Sequence, residues 1–365
     1  MSAHPEEHFP ADYRSGRHDF VAACEQAGID VVARVHPQVK GRDGKPLFLD
    51  TAVIGPRDAK KALLLISATH GVEGYFGSGV QTGLMREGLA GRVPKDTKIV
   101  LLHALNPYGF SWDRRVNEDN ADINRNSVDF AGPPANAPYD ALASAISPRD
   151  IAPEAMKAAN AKLTEFLKAH GAFALQEAIS KGQYKYPDGV YYGGARESWS
   201  LKMLKDVFVE TLSHVKTLTV IDFHTGLGAF GAGEMITEDM PGSAAYKRAI
   251  RMWGDTVASS EAGESVSAPL SGTIDKAVAT WLDKVELTFA ALEVGTRDTR
   301  TVFNALRKDN WLHCFAPGRD KHKDARAIRL ELRDAFYPDT ADWKRKVWGH
   351  ADAAVGAALK AFGGS

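Results

Sequence analysis

Apolar residues recur along this chain in two patterns, short continuous runs and longer stretches with helical spacing. Short apolar runs bounded by turn residues are typical of buried strands, and spacing of three to four residues is typical of helices. Strands are predicted at residues 31–35, 47–54, 61–68, 97–104, 218–223, 234–237 and 288–292. Helices are predicted at residues 18–27, 77–87, 153–170, 200–214, 244–259, 301–314, 325–336 and 339–362. Because strands and helices alternate, we expect an α/β fold with a largely parallel sheet.

The composition is that of an ordinary globular enzyme and excludes several other classes. The 365 residues are 44% hydrophobic and 25% charged, with a net charge of −1, so neither nucleic acid nor an anionic membrane is expected as a partner. No run of about 18 apolar residues predicts a membrane span. The first 16 residues are polar and lack the apolar core of a signal peptide, and two cysteines imply no disulfide framework. We therefore expect a cytoplasmic protein.

The domain organisation predicted from the sequence is simple. The chain shows no internal repeat and no low-complexity linker, so residues 1–365 are expected to form one domain. Residues 150–215 are predicted to leave the sheet as a helical and loop excursion. This excursion contains a segment rich in tyrosine and glycine, residues 182–194. That segment is interpreted either as a lid or wall of a pocket, or as a surface loop anchored by its aromatic residues.

A His and a Glu lie three residues apart where the strand at 61–68 ends, in the sequence His70-Gly-Val-Glu73-Gly74. Imidazole and carboxylate groups are good zinc ligands, and both side chains can reach one point in space. Gly71 and Gly74 are expected to let the backbone bend tightly at this turn. A spacing of this kind is common by chance, so it predicts a metal site only together with other residues.

Those other residues follow separate apolar strands further along the chain. In sheets with parallel strands, ligands bind at the carboxyl ends of the strands. His224 and Glu293 both occupy such positions. Two histidines and one glutamate form a catalytic zinc site that keeps one coordination position for water. His70, Glu73 and His224 are therefore the predicted ligands, and Glu293 is the candidate general base.

A long polar segment with paired arginines, residues 105–126, follows the strand at 97–104. Long polar loops at strand ends are more often functional than idle, although surface ion pairs would also account for the arginines. Arg115 or Arg125 is a candidate to hold an anionic group of a substrate or to polarise a carbonyl. Asp222, two residues before His224, is expected to point to the same side of the sheet, as either an orienting or a structural acid.

Five motifs in order give the chain a resemblance to a known family. They are HGVEG at 70–74, NPYG at 106–109, RRVNEDNADINRN at 114–126, DFHTGLG at 222–228 and LEVGT at 292–296. With these motifs the chain resembles the zinc carboxypeptidases over roughly residues 50–300. It is most similar to a bacterial carboxypeptidase-like branch of unknown function, near the succinylglutamate desuccinylases and aspartoacylases. The resemblance implies a three-layer α/β/α fold with a central mixed, largely parallel twisted sheet.

The resemblance also implies roles for individual residues. His70, Glu73 and His224 would hold one zinc ion per chain, and Glu293 would be the general base. Asp122 would orient the first ligand histidine. Asn124 and Arg125 would bind the terminal carboxylate of the substrate. Arg115 would polarise the scissile carbonyl, with Arg114 as the alternative.

Two departures from the family pattern affect the expected substrate. Carboxypeptidases place a mobile tyrosine over the substrate, between the third ligand and the base. Here Tyr246 is the only tyrosine in that interval and lies in a predicted helix, so the role is not assigned, and Tyr191 or Tyr192 could substitute from the excursion. In addition, 154 residues separate the two ligand histidines, a wider spacing than in digestive carboxypeptidases, which the 150–215 excursion explains.

The sequence therefore predicts a zinc-dependent hydrolase that cleaves an amide bond next to a free carboxylate. A metallocarboxypeptidase acting on small peptides is the first hypothesis, and an N-acyl-amino-acid deacylase is the alternative. A zinc- or carboxylate-binding module without catalysis is a further alternative. The same ligand set would also hold cobalt or manganese. The sequence gives no indication of the oligomeric state.

Overall fold

The computed structural model describes residues 4–282 and 284–363, so the ends of the predicted 1–365 domain lie outside the described residues. Its centre is an eight-stranded sheet in the order β1-β2-β4-β3-β5-β8-β6-β7. The strands are β1 (Val31–Lys40), β2 (Pro46–Ile54), β3 (Lys61–Ile66), β4 (Thr97–His103), β5 (Thr217–Thr225), β6 (Gly233–Thr237), β7 (Val257–Ser259) and β8 (Glu286–Val294). Four neighbouring pairs are parallel and three are antiparallel, so the sheet is mixed.

Helices cover both faces of this sheet. They are α1 (Tyr13–Gln26), α2 (Gly74–Arg86), α3 (Pro107–Trp112), α4 (Ala137–Ile146), α5 (Pro153–Ser180), α6 (Trp199–Val207), α7 (Ala244–Trp253), α8 (Ile274–Trp281), α9 (Thr299–Cys314), α10 (Ala325–Phe336) and α11 (Ala341–Gly363). None of the helices within the described residues is both long enough and apolar enough to cross a membrane.

The burial of β3 shows how the three layers form. Leu63 and Leu65 pack into the apolar cluster that contains α1, α2 and α11, whereas Leu64 and Ile66 pack into the cluster that contains α6 and α8. Successive side chains of a strand point to opposite faces, so a continuous apolar run is what a strand covered on both faces requires. The expected α/β/α arrangement with a mixed, largely parallel sheet is confirmed.

The central strands bring the carboxyl ends of β3, β5 and β8 to one edge of the sheet. β3 pairs in parallel with β4 and with β5, and β5 pairs in parallel with β8. In this register His224 and Glu293 are direct Cα partners on β5 and β8. The candidate ligands and the candidate base therefore meet because parallel strands end together.

The predicted helix at 244–259 is wrong in its last third. Helix α7 ends at Trp253, where Gly254 adopts φ 62° and ψ −139°, and β7 follows it. Glycine takes a positive φ at little cost, so it ends the helix here. Helices α4 and α8, each ten residues or fewer, were not predicted because short helices have weak periodic signals.

The predicted excursion, residues 150–215, contains one helix that leaves the sheet, α5, and one that packs on it, α6. Helix α5 runs for 28 residues from Pro153, but Gly171 has φ 85° and ψ 168° and interrupts it. Helix α6 packs back on the sheet, with Leu201 and Leu204 in the apolar cluster formed with β3 and β4. The segment that leaves the sheet layer is therefore centred on α5 and the tyrosine-rich segment after it.

Candidate metal centre and active site

The turn that carries the first two candidate ligands begins where β3 ends. Residues Gly71–Glu73 form a 3-10 turn, and α2 begins at Gly74 directly after it. A Cβ atom on Gly71 would lie 2.0 Å from the carbonyl carbon of Gly109. Glycine is required at position 71 because two backbones approach closely, a reason beyond the tight bend that the sequence had suggested.

The paired arginines belong to the loop that holds this turn in place. The amide of Gly71 donates a hydrogen bond of 3.0 Å to the carbonyl of Arg115, and the amide of Val72 donates one of 2.8 Å to the carbonyl of Arg114. The two loops are therefore joined through their backbones. This pairing fixes the position of the Arg115 side chain relative to the candidate ligands.

His70, Glu73 and His224 converge on one point. One ligand atom from each lies within 4.8 Å of the others, and all three residues are buried. The two Nδ1 atoms of the histidines are 3.2 Å apart. The Glu73 carboxylate lies 2.9 Å from Nδ1 of His70 and 3.1 Å from Nδ1 of His224.

The other nitrogen of each histidine faces a carboxylate. Nε2 of His70 lies 3.0 Å from Oδ1 of Asp122, and Nε2 of His224 lies 2.8 Å from Oδ2 of Asp222. An ionised carboxylate only accepts hydrogen bonds, so each Nε2 carries a hydrogen, and Nδ1 is the nitrogen of each ring that is left for a metal ion. Carboxylates behind ligand histidines are a usual feature of zinc sites, where they fix the ring orientation.

The donor set therefore fits a divalent cation. The two Nδ1 atoms and the Glu73 carboxylate face one another at 2.9–3.2 Å. This grouping needs a positive charge, which either protons on the histidines or a bound cation supplies. His₂Glu is a ligand set of catalytic zinc sites, and it leaves a fourth position open. The residues present fit zinc, as the sequence had indicated.

Two of the carboxylates beside the histidines, those of Glu73 and Asp122, are held ionised. Burial raises the pKa of Glu73, but the charges and hydrogen bonds of His70 and His224 outweigh burial and lower it well below the usual range. Burial likewise opposes the ionisation of Asp122, and the charge of Arg115 outweighs it and lowers that pKa well below normal. Anionic carboxylates are the form that binds or orients metal ligands.

Glu293 lies beside this cluster at the end of β8 and behaves differently. Its Oε1 accepts a hydrogen bond of 2.9 Å from the amide of Leu227. Burial and the negative charge of Glu73 raise the pKa of Glu293 to about 8. A carboxylate whose pKa lies near neutrality can both take up and release a proton, which is what a general base and acid needs.

The structure distinguishes the two arginines that the sequence left as alternatives. Arg115 donates a hydrogen bond to Asp122, and its Nε lies 3.9 Å from Oε1 of Glu73. Arg114 pairs instead with Asp309 at 3.1 Å and donates to Asn120 at 2.9 Å. Arg115 therefore lies at the candidate metal centre, whereas Arg114 points into the protein behind it.

Arg125 and Asn124 are already engaged with neighbouring segments. Arg125 donates two hydrogen bonds to the carbonyl of Ser180 and one to the carbonyl of Asn124. A guanidinium group has five N–H donors, so two remain for a ligand. The Asn124 side chain accepts a hydrogen bond of 3.0 Å from the amide of Ile274, at the start of α8.

The tyrosine-rich segment forms a wall of the site. The ring of Tyr191 lies 5.0 Å from the guanidinium carbon of Arg115 and 5.7 Å from that of Arg125. Tyr192 contributes its backbone carbonyl, which accepts a hydrogen bond of 2.7 Å from the amide of Asp122. Tyr246 lies on α7 and donates to Glu264 instead. Of the three tyrosines, Tyr191 is the one that lines the cavity.

Asp222 is the residue whose role the sequence could not decide. It lies on β5 two residues before His224, and Thr69 donates to both of its carboxylate oxygens at 2.8 and 2.9 Å. The carboxylate is thus fixed on one side by Thr69 and oriented towards His224 on the other. Same-face spacing on a strand is a signal for such a pair, but only the fold shows the contact.

A cavity of about 960 Å³ contains the candidate ligands, Glu293, Arg115 and Arg125. Helix α5 forms one wall of this cavity, which the sequence did not predict in detail. The α5 residues that line it are Asn160, Leu163, Thr164, Leu167, Ala172, Leu175, Gln176, Ile179 and Ser180. Ligand pockets measure roughly 300–1,000 Å³, so this cavity is at the large end of the range.

Comparison with known proteins gives a family but no activity. The chain is similar to an aspartoacylase family protein from Mesorhizobium loti (14% identity, 81% of this chain and 68% of that chain, TM-score 0.38). It is also similar to a metallo-carboxypeptidase from Burkholderia cenocepacia (12% identity, 97% of this chain and 71% of that chain, TM-score 0.44). A third similar structure is the carboxypeptidase A from Helicoverpa armigera (12% identity, 94% of this chain and 73% of that chain, TM-score 0.45). No curated protein sequence matched the chain.

A family profile matches nearly the whole length of the chain, residues 9–350. The family is one of unknown function, in agreement with the resemblance to a carboxypeptidase-like branch of that kind. The chain belongs to the family described as "Protein of unknown function (DUF2817)".

Proposed function

We propose that this protein is a zinc-dependent hydrolase that cleaves an amide bond next to a free carboxylate, within a single catalytic domain. One observation supports the proposal above the others. The Nδ1 atoms of His70 and His224 and the carboxylate of Glu73 face one another at 2.9–3.2 Å, in a cavity that also contains Glu293 and Arg115. Metal ligands, a base and a cationic group are the components that metal-assisted hydrolysis requires.

His70, Glu73 and His224 would hold the zinc ion. A zinc ion at such a site acts as a Lewis acid that polarises a carbonyl and makes water a stronger nucleophile. Asp122 and Asp222 fix the rings of the two histidines through their Nε2 atoms. The chain thus supplies both the ligands and the groups that orient them.

Glu293 would move the proton. As a carboxylate it takes a proton from the attacking water, and as a carboxylic acid it gives that proton to the leaving amine. Its raised pKa, about 8, fits a group that must do both near neutral pH. The amide of Leu227 holds Oε1 at 2.9 Å and so limits the rotation of the carboxylate.

The arginines would bind the substrate at two places. Arg115, beside Glu73, is positioned to donate to the carbonyl oxygen of the amide bond, where negative charge develops during attack. Arg125 keeps two N–H donors for a carboxylate, and Asn124 lies next to it. Buried guanidinium groups bind carboxylates strongly because water does not compete for them.

Two substrate classes present an amide bond beside a free carboxylate. The first candidate is the C-terminal residue of a small peptide, which would make the protein a metallocarboxypeptidase. The second is an N-acyl amino acid, and the wall formed by α5 favours it. Four of the nine α5 residues that line the cavity are leucine or isoleucine, and the side chains of the four polar ones already form hydrogen bonds within the protein, so this wall offers few free partners to a peptide backbone.

The proposal is tested by incubating the zinc-loaded protein with a mixed pool of short peptides and N-acyl amino acids, followed by mass spectrometry. We expect release of single C-terminal residues or of free amino acids, and we expect Glu293→Gln to abolish it. Zinc content is measured in parallel and should be unchanged. Glu286→Gln is the matched control, because Glu286 begins the same strand and is exposed.

Two results would contradict the proposal. Turnover by Glu293→Gln at the wild-type rate would remove Glu293 from the mechanism. Stoichiometric zinc with no turnover of either pool would instead indicate a zinc- or carboxylate-binding module without catalysis.

A further inference from the structure

Both halves of α5 present one face to the cavity. Before the interruption, residues 160, 163, 164 and 167 line the cavity, and after it residues 172, 175, 176 and 179 do so. Each set follows the i, i+3, i+4, i+7 spacing of a single helix face. In a continuous helix, the second set would begin one residue later than the position that continues the first face. Each residue rotates a helix by about 100°, so the two sets would lie on different sides. The break at Gly171, with φ 85°, corrects this offset.

The first half of α5 lies against α9, and both helices contribute apolar side chains to the cavity, beside the polar residues of α9 and its N-cap, Asp298, Thr299, Arg300 and Asn304. Arg307 on α9 donates a hydrogen bond of 2.7 Å to the side chain of Asn160 on α5. Leu163 and Leu167 face the cavity from α5, and Val302 and Phe303 face it from α9. Phe336, from the end of α10, completes this wall. We call these five apolar side chains, Leu163, Leu167, Val302, Phe303 and Phe336, the α5–α9 chamber.

The polar side chains on the α5 side of the chamber already have partners. Asn160 Oδ1 accepts from Arg307, and the hydroxyl of Thr164 donates to the backbone carbonyl of Asn160 at 2.8 Å. A peptide that entered the chamber would have to bury N–H and C=O groups against apolar walls. An unpaired buried amide group costs roughly 1–3 kcal/mol in proteins, whereas a hydrocarbon chain gains free energy there.

Another part of the cavity carries acidic side chains. Glu238 and Asp275 line it, and Glu238 accepts hydrogen bonds from Lys276 and Thr273. These residues adjoin the candidate carboxylate-binding residue Asn124, because the amide of Ile274 donates to Asn124. A hydrocarbon is disfavoured beside buried charged groups. The acyl part of a substrate therefore fits the α5–α9 chamber, and its carboxylate fits Arg125 and not the two acidic side chains.

Exposure supports a ligand in the chamber. Leu167 lines the cavity and is 39% exposed, although it belongs to the apolar face of a helix. Leu163, one turn earlier on the same face, is only 7% exposed. Apolar side chains that line a cavity and remain accessible gain contacts when an apolar ligand fills the space.

We propose that the α5–α9 chamber binds the hydrocarbon acyl group of the substrate, so that the protein hydrolyses N-acyl amino acids with apolar acyl chains longer than acetyl. This inference rests on the proposed hydrolase function. Water adds to the acyl carbonyl, the C–N bond breaks, and the amine receives the proton. The products are a carboxylic acid and a free amino acid, and no oxidant or second cosubstrate is consumed.

The test is a chain-length series of N-acetyl-, N-butanoyl-, N-hexanoyl- and N-octanoyl-L-alanine with the zinc-loaded protein, beside tetra-alanine as a peptide of comparable length. A buried methylene contributes about 0.8 kcal/mol, which is a factor of about four. We therefore expect kcat/KM to rise about 15-fold for each pair of methylenes. We expect tetra-alanine to be cleaved more slowly than the octanoyl compound.

A variant pair on α5 separates the chamber from the rest of the helix. Leu167→Asp places a charge in the chamber and should lower the ratio of octanoyl to acetyl turnover at least tenfold. Phe173→Asp is the matched control, because Phe173 is 50% exposed on the same helix and does not line the cavity. We expect Phe173→Asp to leave the ratio unchanged.

A binding measurement makes the inference independent of turnover. Calorimetric titration of zinc-loaded Glu293→Gln with N-octanoyl- and N-acetyl-L-alanine should show tighter binding of the octanoyl compound. Turnover of acetyl and octanoyl compounds at equal kcat/KM would overturn the chamber while leaving the proposed hydrolase function intact. Cleavage of tetra-alanine in preference to the acyl compounds would overturn it in favour of a peptidase. Equal affinity of the two compounds would overturn the chamber, and absence of turnover of the acyl compounds, of tetra-alanine and of the mixed pool would remove the proposed hydrolase function as well.

Discussion

The interruption of α5 at Gly171 gives a prediction whose magnitude follows from the backbone. Gly171 has φ 85° and ψ 168°, a region that only glycine adopts without strain. A Cβ atom added there would meet no heavy atom within 4 Å, so Gly171→Ala changes the backbone energy and causes no clash. The strain of a non-glycine residue in such a conformation is about 1–3 kcal/mol. We expect Gly171→Ala to lower the free energy of unfolding by that amount.

A second helical glycine provides the control. Gly349 lies exposed in α11, its Cβ position is equally open, and it does not have a positive φ. Alanine is favoured over glycine in a helix interior by about 1 kcal/mol, so Gly349→Ala should stabilise the protein. The two substitutions are chemically identical and differ only in the backbone conformation at the site. We therefore expect the free energy of unfolding to fall in Gly171→Ala and to rise in Gly349→Ala.

The assays are urea unfolding, which gives the free energy of unfolding, and thermal unfolding, which gives the melting temperature, of the wild type and both variants under the same conditions. With an unfolding entropy of about 2.1 cal/mol/K per residue, the melting temperature of Gly171→Ala should fall by about 1–4 °C. If α5 instead relaxed into a continuous helix, its second half would turn by roughly 100° and Leu175 and Ile179 would leave the cavity. A stabilisation equal to that of Gly349→Ala would refute the interruption, and with it the shared cavity face of the two halves.

Two further predictions concern the metal centre. Burial and the charge of Glu73 raise the pKa of Glu293 to about 8 in the folded metal-free protein. In the unfolded chain the pKa of a glutamate is about 4.3, so between these two pH values the folded protein keeps a proton on Glu293 that the unfolded chain releases. Glu293 should therefore contribute a fall in stability on the order of 3 kcal/mol as pH rises from 5.5 to 8, and Glu293→Gln should flatten the pH dependence by that amount; parallel pH slopes of the two proteins in urea titrations would contradict it. Asp222→Asn should weaken zinc binding about 10–100-fold in competition with a chelator, whereas exposed Asp255→Asn should not. Equal zinc affinity in both variants would assign Asp222 a structural role only.

Much of the fold could be predicted because its signals are local. The apolar runs of β3, β4 and β5 are buried on both faces, and such runs are visible in the sequence without knowledge of the partner strands. The positions of His70, His224 and Glu293 after such runs were sufficient to predict that they meet. Parallel strands end at the same edge of a sheet, so this inference needs only the strand assignment.

Several features of the site depend on contacts that the sequence does not show. Arg114 and Arg115 are neighbours with identical side chains, and only their partners, Asp309 and Asp122, distinguish them. Asp309 is 195 residues from Arg114. The need for glycine at position 71 likewise arises from the backbone of Gly109, in another loop. Pairings of this kind are set by packing between distant segments.

The sequence by itself determined the α/β fold, the candidate ligands and the candidate base, because strand periodicity and strand ends are properties of short stretches of chain. Only the tertiary structure decided which histidine nitrogens face the metal position, since Asp122 and Asp222 occupy the others. It also decided the shape of the cavity, because the break at Gly171 turns both halves of α5 towards a site built by other segments. The candidate metal ligands can thus be recognised from short stretches of sequence. The ligand atom of each histidine and the shape of the cavity depend on residues that are distant in sequence and meet only in the fold.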